Sequence, residues 1–241
     1  MKENSRVKDQ YMRWPYPEPV VNLEEFFKTK AQLGCPSTDR GFYNAFPRRD
    51  RFNPRILVAG CGAYQAAAIA YKNHDSEVMG VDISTTSLGH TDDLKRRHHL
   101  SNLTLHEMSL LDIAKLHKSF DLIISTGVIH HLPNPPLALD AFKSVLDEGG
   151  VAHIMVYGTT LRTGVYWLQD AFKYLGIEPS TEAEVWGALN FIKKLPKHHP
   201  VHAYIANANV DMTFPGGIID TFFHSQDTSY TLKEVFELVE S

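Results

Sequence analysis

Four consecutive apolar residues, Ile56 to Ala59, run directly into Gly60-Cys61-Gly62, and an alanine-rich stretch from Gln65 to Tyr71 follows. A strand that is apolar at every position must be covered on both faces, and glycines between such a strand and a helix let the backbone adopt angles closed to other residues. The alternation recurs along the chain. Val78 to Ile83 precedes a helical stretch from Thr85 to His99, and Leu103 to Met108 and Phe120 to Ser125 read as further strands. After them Asn134 is placed to cap a helix, with Pro135 and Pro136 in its first turn, Ala138, Phe142, Val145 and Leu146 on one face, and Gly149 at its end. A last strand is expected from Val151 to Tyr157. Strands alternating with helices build a parallel sheet covered on both sides, so the pattern predicts a three-layer α/β domain.

The flanks read differently. Residues 1–54 concentrate prolines and aromatics between Tyr11 and Pro19 and a basic cluster at Arg48, Arg49 and Arg51, which predicts a packing arm with one short helix from Leu23 to Leu33. Beyond Tyr157 the strand signal stops. Leu161 to Leu175, Thr181 to Leu195 and Thr231 to Val239 read as helices, and Thr181 with Glu184 and Thr231 with Glu234 have capping-box spacing. The expected division is an arm or lid over 1–54, a core over 55–160 and a helical acceptor-side region over 161–241.

Composition narrows the function classes. With 241 residues, 43% of them hydrophobic, the chain can bury a full-sized core. Its net charge of −4 lacks the bulk positive field that attracts phosphate backbones, which disfavours nucleic acid as a partner. Two cysteines, Cys35 and Cys61, build no disulfide framework, residues 1–19 are charged and proline-rich, and no apolar run reaches the ~18 residues of a membrane span. A cytoplasmic location and no membrane partner are the expectation.

Asp82 ends the second strand 20 residues after Gly62, where a carboxylate can accept both hydroxyls of a ribose. Turn and carboxylate together point to a ligand containing a nucleoside. A dinucleotide fold calls for a glycine where this chain has Gln65, which weakens a nicotinamide-dependent oxidoreductase.

Three segments in order, Ile56 to Gly62, Gly80 to Ser84, and Phe120 to Pro133 with its His130-His131-Leu132-Pro133 ending, resemble successive motifs of the class I S-adenosylmethionine-dependent methyltransferases. The resemblance covers about Arg55 to Tyr157; the turn and the stretch Arg162 to Asp170 also resemble a bacterial methyltransferase type 11/12-like subgroup. It implies a Rossmann-like parallel sheet of order 3-2-1-4-5, S-adenosylmethionine as cofactor, and methyl transfer to a small-molecule acceptor. It further implies that Gly60, Cys61 and Gly62, with Ala63 and Gln65 behind them, lie against the methionine part, and that Asp82 holds the ribose. Ile83 then packs on the adenine, Ser109 and Leu110 border its amino group, and Thr126 and Gly127 border the reacting sulfur. Two positions depart from the family: Val58 stands where many members carry a carboxylate, and Tyr64 where a further glycine is common. These departures keep open a non-catalytic cofactor-binding or scaffold domain as the alternative.

If the acceptor arrives protonated, a base is required, and His131 is the first candidate and His130 the second, since histidine titrates near neutrality. In the arm, Arg13 is expected to pair with the cofactor carboxylate while Tyr11, Trp14 and Tyr16 enclose an acceptor or its cation; stapling of the arm to the domain is the competing reading. His198 and His202 stand four apart, with His224 and Asp227 downstream, yet Pro200 interrupts that helix and no familiar ligand pattern is completed, so no metal is expected. The polar and aromatic run from Asp220 to Tyr230 suits a substrate-contacting or connecting loop, and Lys95 to His99 a solvated helix end. Family members usually finish the sheet with two more strands, one antiparallel, after a helix like Thr231 to Val239. The chain is therefore expected to lack those strands, to be a shortened or excised piece, and to leave an edge at the fifth strand for a further segment or a second copy to cover.

Overall fold

The computed structural model describes residues 2–29 and 53–240. Five parallel strands form one sheet in the order β3-β2-β1-β4-β5: β1 Ile56–Ala59, β2 Val78–Asp82, β3 Leu103–Glu107, β4 Phe120–Thr126 and β5 Leu146–Met155. Four crossover segments connect them: α3 Gln65–Lys72, α4 Thr85–Arg97, a short 3-10 helix Leu110–Leu116, and α5 Pro136–Val145. Before β1 come α1 Lys2–Arg13 and α2 Leu23–Thr29; after β5 come α6 Thr163–Leu175, α7 Glu182–Lys193, α8 Val201–Asn207, α9 Pro215–Phe222 and α10 Leu232–Glu240. The basic cluster at Arg48, Arg49 and Arg51, Cys35, and the last residues of the helix expected from Leu23 to Leu33 lie outside the described residues.

The apolar runs do what their composition dictates. All four residues of β1 are fully buried, and the sheet separates two cores. One packs Ile56, Val58 and Ile124 against the alanines of α3 and against Leu23 and Phe26 of α2. The other packs Leu57, Val81 and Ile123 against Ile113, Phe142 and Leu238 of α10. A third apolar cluster joins α6, α7, α8 and α9 through Val165, Leu189, Val201 and Ile218, with Trp14 against it. Among the described residues no helix is long and apolar enough to cross a membrane.

Several boundaries differ from the sequence reading. Residues 2–13, read as part of an irregular arm, form a helix that buries Val7 and sets Tyr11 against the sheet's functional end. Pro135, not the Asn134 side chain, stands at the N-cap of α5, and α5 ends at Val145 rather than Gly149. β5 therefore begins at Leu146, and Gly149, in the left-handed region at φ +73°, falls within an irregular start of β5, where the register shifts opposite Phe120 and Leu122. Arg55 fastens that end of the sheet by ion pairs to Asp121 at 3.0 Å and Asp147 at 2.7 Å. The capping boxes at Thr181–Glu184 and Thr231–Glu234 are both formed. Asp220 lies on α9 rather than in a loop. No sixth strand joins β5 among the described residues; Gly158 and Tyr230 form one isolated parallel bridge just past its end.

Candidate functional site

The sheet order reverses between β1 and β4, and the crevice at the carboxyl ends of the strands opens there, as it does in doubly wound sheets generally. Gly60 and Gly62 make the turn leaving β1, with φ of +74° and +57°. Neither position has room for a side chain: a Cβ on Gly60 would stand 2.4 Å from Val128, and one on Gly62 would stand 2.8 Å from Pro17. Asp82, at the end of β2, accepts the Gly62 backbone N–H at 2.8 Å and, through its other oxygen, that of Ser84 at 2.8 Å. Thr91 donates to the Gly62 carbonyl at 3.0 Å. The turn is thus held from both sides by residues of β2 and α4, with the Asp82 carboxylate on the cavity wall. Burial pushes the Asp82 carboxyl up, against the pull of these backbone N–H groups.

Most of the residues singled out from the sequence come together here. Gly60, Cys61, Gly62, Gln65, Asp82, Ile83, Ser109, Leu110, Thr126, Gly127 and Tyr11 all line one cavity, and His131 stands at its far end with Tyr157. Gln65 donates to the Thr126 hydroxyl at 3.2 Å, joining the helix after β1 to the end of β4. The Ser109 hydroxyl accepts the Leu111 N–H at 3.3 Å and so serves first as a helix cap. Three assignments change. Ala63 is fully buried and does not line the cavity. Arg13 turns away from it and donates to the Ser180 carbonyl before α7. His130 also misses the cavity and packs into the interior against the Tyr157 ring, 3.9 Å between centroids, where burial, then neighbouring His131 and Arg162, hold its pKa far below the ordinary histidine value. The departures from the family pattern find places too: Val58 belongs to the sheet core, and Tyr64 lines the cavity with its ring on Phe26.

Behind the far end lies a buried polar cluster that joins His131, Tyr11 and Tyr157 to residues of the polar stretch from Asp220 to Tyr230. His131 Nδ1 is 2.8 Å from the Gln226 carbonyl and can meet it only as a donor, so in the neutral imidazole Nε2 carries the lone pair. That Nε2 makes no hydrogen bond among the described residues and lies 3.9 Å from Asp220 Oδ1. Asp220 accepts the Tyr11 hydroxyl at 2.8 Å and the Tyr157 hydroxyl at 3.3 Å. The His224 ring stacks on His131 with centroids 3.6 Å apart, and its Nδ1 accepts the Gln226 N–H at 3.0 Å. Its proton is therefore on Nε2, 3.2 Å from the Tyr11 oxygen. Burial pushes the Asp220 carboxyl up and holds the His224 imidazole well below its usual value.

A buried cation braces this cluster. Arg162 donates to Tyr204 at 2.7 Å, pairs with Asp227 at 3.2 Å and lies 3.7 Å from the Tyr157 ring centroid. Burial works against its charge, and the Tyr204 and Tyr157 phenols and the Asp227 carboxylate outweigh it. Two overlapping groups, His130 with His131 and Asp227, and His131 with Asp220 and His224, have side-chain spacing compatible with a metal ion. Their chemistry is unfavourable to one. Asp227 is already engaged by the Arg162 cation, and both His224 nitrogens are committed, one accepting Gln226 and the other bearing the proton. His199 and His202, farther along, are used locally: His199 accepts the Val201 N–H, and His202 contacts the Leu195 carbonyl.

A family model described as a methyltransferase domain matches residues 53–173, half of the chain. Among curated proteins, the chain is 36% identical over 124 residues to an uncharacterised protein of Synechococcus sp., a match covering 51% of this chain and 30% of that one. It is 25% identical over 116 residues to a ubiquinone biosynthesis O-methyltransferase of Glaesserella parasuis, covering 46% of this chain and 48% of the relative. The chain thus spans less than half the length of these curated relatives. Among solved structures, PKMT2 from Rickettsia typhi superposes with a TM-score of 0.61 over 78% of this chain and 38% of its own, at 16% identity; its complex with AdoHcy gives 0.58 at 14%. At that identity the likeness is one of fold.

Proposed function

Since this chain belongs to the methyltransferase-domain family and has the Rossmann-like fold of class I methyltransferases, we propose that its cavity binds S-adenosylmethionine and serves methyl transfer to a small acceptor. One observation carries the reading: the Gly60–Gly62 turn, left-handed and closed to any Cβ, is bonded to Asp82 on the wall of the same cavity. Backbone exposed in this way admits a ligand at van der Waals distance, and the carboxylate oxygens keep lone pairs for two neighbouring hydroxyls. These residues fit a nucleoside with a long side chain. Asp82 and Ile83 would take the ribose and one face of the adenine, Ser109 and Leu110 its edge, and Thr126 and Gly127 the sulfur end.

When bound, the cofactor supplies a methyl group on a positively charged sulfur, a leaving group that needs no further activation. The protein's part is then to position the acceptor in line, exclude water and receive a proton where the acceptor carries one. His131 fits the last role, because it lines the cavity and its Nδ1 contact with Gln226 fixes the neutral tautomer and leaves Nε2, among the described residues, without a hydrogen-bond partner. His130 is a packing residue in this account. Tyr11, Tyr16 and Pro17 line the cavity from the N-terminal segment, so that segment acts as a wall of the site as well as a staple.

Thermal-shift titration tests the reading. S-adenosylmethionine and S-adenosylhomocysteine at about a hundred times their Kd are expected to stabilise the chain by about 2.7 kcal/mol and raise Tm by roughly 5–10 °C, with no shift from NAD. A shift with NAD alone would place the chain among nicotinamide-binding proteins instead.

A further inference from the structure

The acceptor end of the cavity has a polarity of its own. Among the described lining residues there is no lysine or arginine, and the lining includes the hydroxyls of Tyr11, Tyr16 and Tyr157 and the His131 imidazole. The protons of the phenols are spent on carboxylates: Tyr11 and Tyr157 on Asp220, and Tyr16, at 3.4 Å, on Asp211. His131 turns its N–H to Gln226 and keeps the Nε2 lone pair. What these groups chiefly offer a ligand is therefore lone pairs.

Asp220 adds the charge. It is 2% exposed and sits one layer behind Tyr11, Tyr157 and His131; among the described residues its ion-pair contact is His131 Nε2 at 3.9 Å, with no lysine or arginine in reach. Arg162, the nearby buried cation, is engaged by Asp227. A buried carboxylate whose nearest ion-pair contact is an imidazole at 3.9 Å is costly, and a ligand that brings a positive charge relieves that cost. A carboxylate, phosphate or phenolate would meet these lone pairs and a like charge there; an ammonium group presents N–H donors and the right sign.

Resting on the S-adenosylmethionine reading, we propose that the methyl acceptor is a small primary or secondary amine, held as its ammonium ion by Tyr11, Tyr157 and His131 in front of Asp220. A primary ammonium gives one proton to His131 Nε2, and the freed nitrogen lone pair forms the new N–C bond. The S–C bond breaks with its electron pair left on sulfur. The products are an N-methylammonium, the demethylated thioether and the proton on His131, which passes to solvent.

The test uses the chain loaded with S-adenosylhomocysteine and three probes of matched size: n-butylamine, 1-butanol and butyrate, titrated calorimetrically near neutral pH. n-Butylammonium is expected to bind saturably at millimolar concentration, with 1-butanol at least about tenfold weaker and butyrate not bound. Asp220→Asn and Tyr157→Phe are each expected to weaken n-butylammonium about tenfold while S-adenosylhomocysteine affinity stays within about threefold. If Asp220→Asn fails to fold, Tyr157→Phe alone carries that comparison. With S-adenosylmethionine in place of the product, mass spectrometry should find the added methyl on nitrogen. Preference for butyrate or 1-butanol, absence of n-butylammonium binding to the loaded chain, or indifference of both variants overturns the amine assignment. Failure of S-adenosylhomocysteine to bind refutes the cofactor reading instead.

Discussion

Replacing Gly62 by alanine and replacing Gly89 by alanine are the same chemical change, and the structure gives them opposite signs. Gly62 has φ +57°, and an added Cβ would stand 2.8 Å from Pro17 Cδ and 3.3 Å from the Tyr16 carbonyl oxygen. The left-handed backbone costs an L-residue about 1–2 kcal/mol, and the contact forces the Tyr16–Pro17 segment off the turn in addition. A loss of about 2 kcal/mol is expected, or roughly 4–8 °C in Tm for a chain of this size. Gly89 lies on the exposed side of α4, where a Cβ meets nothing within 4 Å and removes backbone freedom from the unfolded chain. There alanine should stabilise by about 0.5–1 kcal/mol. Because Gly62, Tyr16 and Pro17 line the same cavity, Gly62→Ala should also weaken S-adenosylhomocysteine binding by about tenfold or more, whereas Gly89→Ala should leave it unchanged. Thermal melts and calorimetric titrations of both variants supply the comparison. A Gly62→Ala chain that melts with the wild type and binds the ligand equally well would refute the claim that the turn is closed to side chains.

Other outcomes follow from the buried cluster. Asp227→Asn leaves the Arg162 guanidinium buried without its carboxylate and should cost about 3 kcal/mol or more, with much of the loss recovered in the Arg162→Met, Asp227→Leu double variant; a double variant as unstable as the single one would show that the charge is not the cause. His130 and His224 are held neutral well below the ordinary histidine value, so their contribution to stability is present above pH ~6.5 and is lost as pH falls, by up to about 1.4 kcal/mol per pH unit for each. Asp82 and Asp220 act with the opposite sign, because their raised carboxyls bind protons more readily in the folded chain; their contribution is complete below about pH 4 and fades as pH rises through their folded values. Between pH ~6.5 and ~5.5 the change of Tm on acidification should be more favourable to the folded chain in His130→Asn than in the wild type; equal slopes would contradict the assignment.

What was legible in the sequence is what a periodic pattern can carry. β1, β2 and β4 are buried on both faces and announce themselves as apolar runs, and Gly60, Gly62 and Asp82 hold their places by spacing alone. α1 carries no legible stripe because Lys2–Arg13 is almost wholly polar; Val7 is buried and Tyr11, four residues on, lines the cavity, and two positions make no periodic signal. Gly149 read as a helix terminator because a left-handed glycine does the same work in a C-cap and in an irregular strand, and only the pairing with β4 separates the two. The acceptor end was the least legible part. Tyr11, His131, Tyr157 and Asp220 come from four separated segments, and contacts between α1 and α9, some 209 residues apart at Tyr11 and Asp220, leave no local signal. Pro215 in the first turn of α9 and the four-residue spacing of Asp220 and His224 were the traces available.

Calorimetric titration of S-adenosylhomocysteine into the wild-type chain and into Asp82→Ala tests the central claim most directly. Saturable one-to-one binding by the wild type, weakened about tenfold or more when the carboxylate that holds Gly62 is removed, is the predicted result. No binding by the wild type at millimolar ligand, or equal affinity in the two chains, would contradict it.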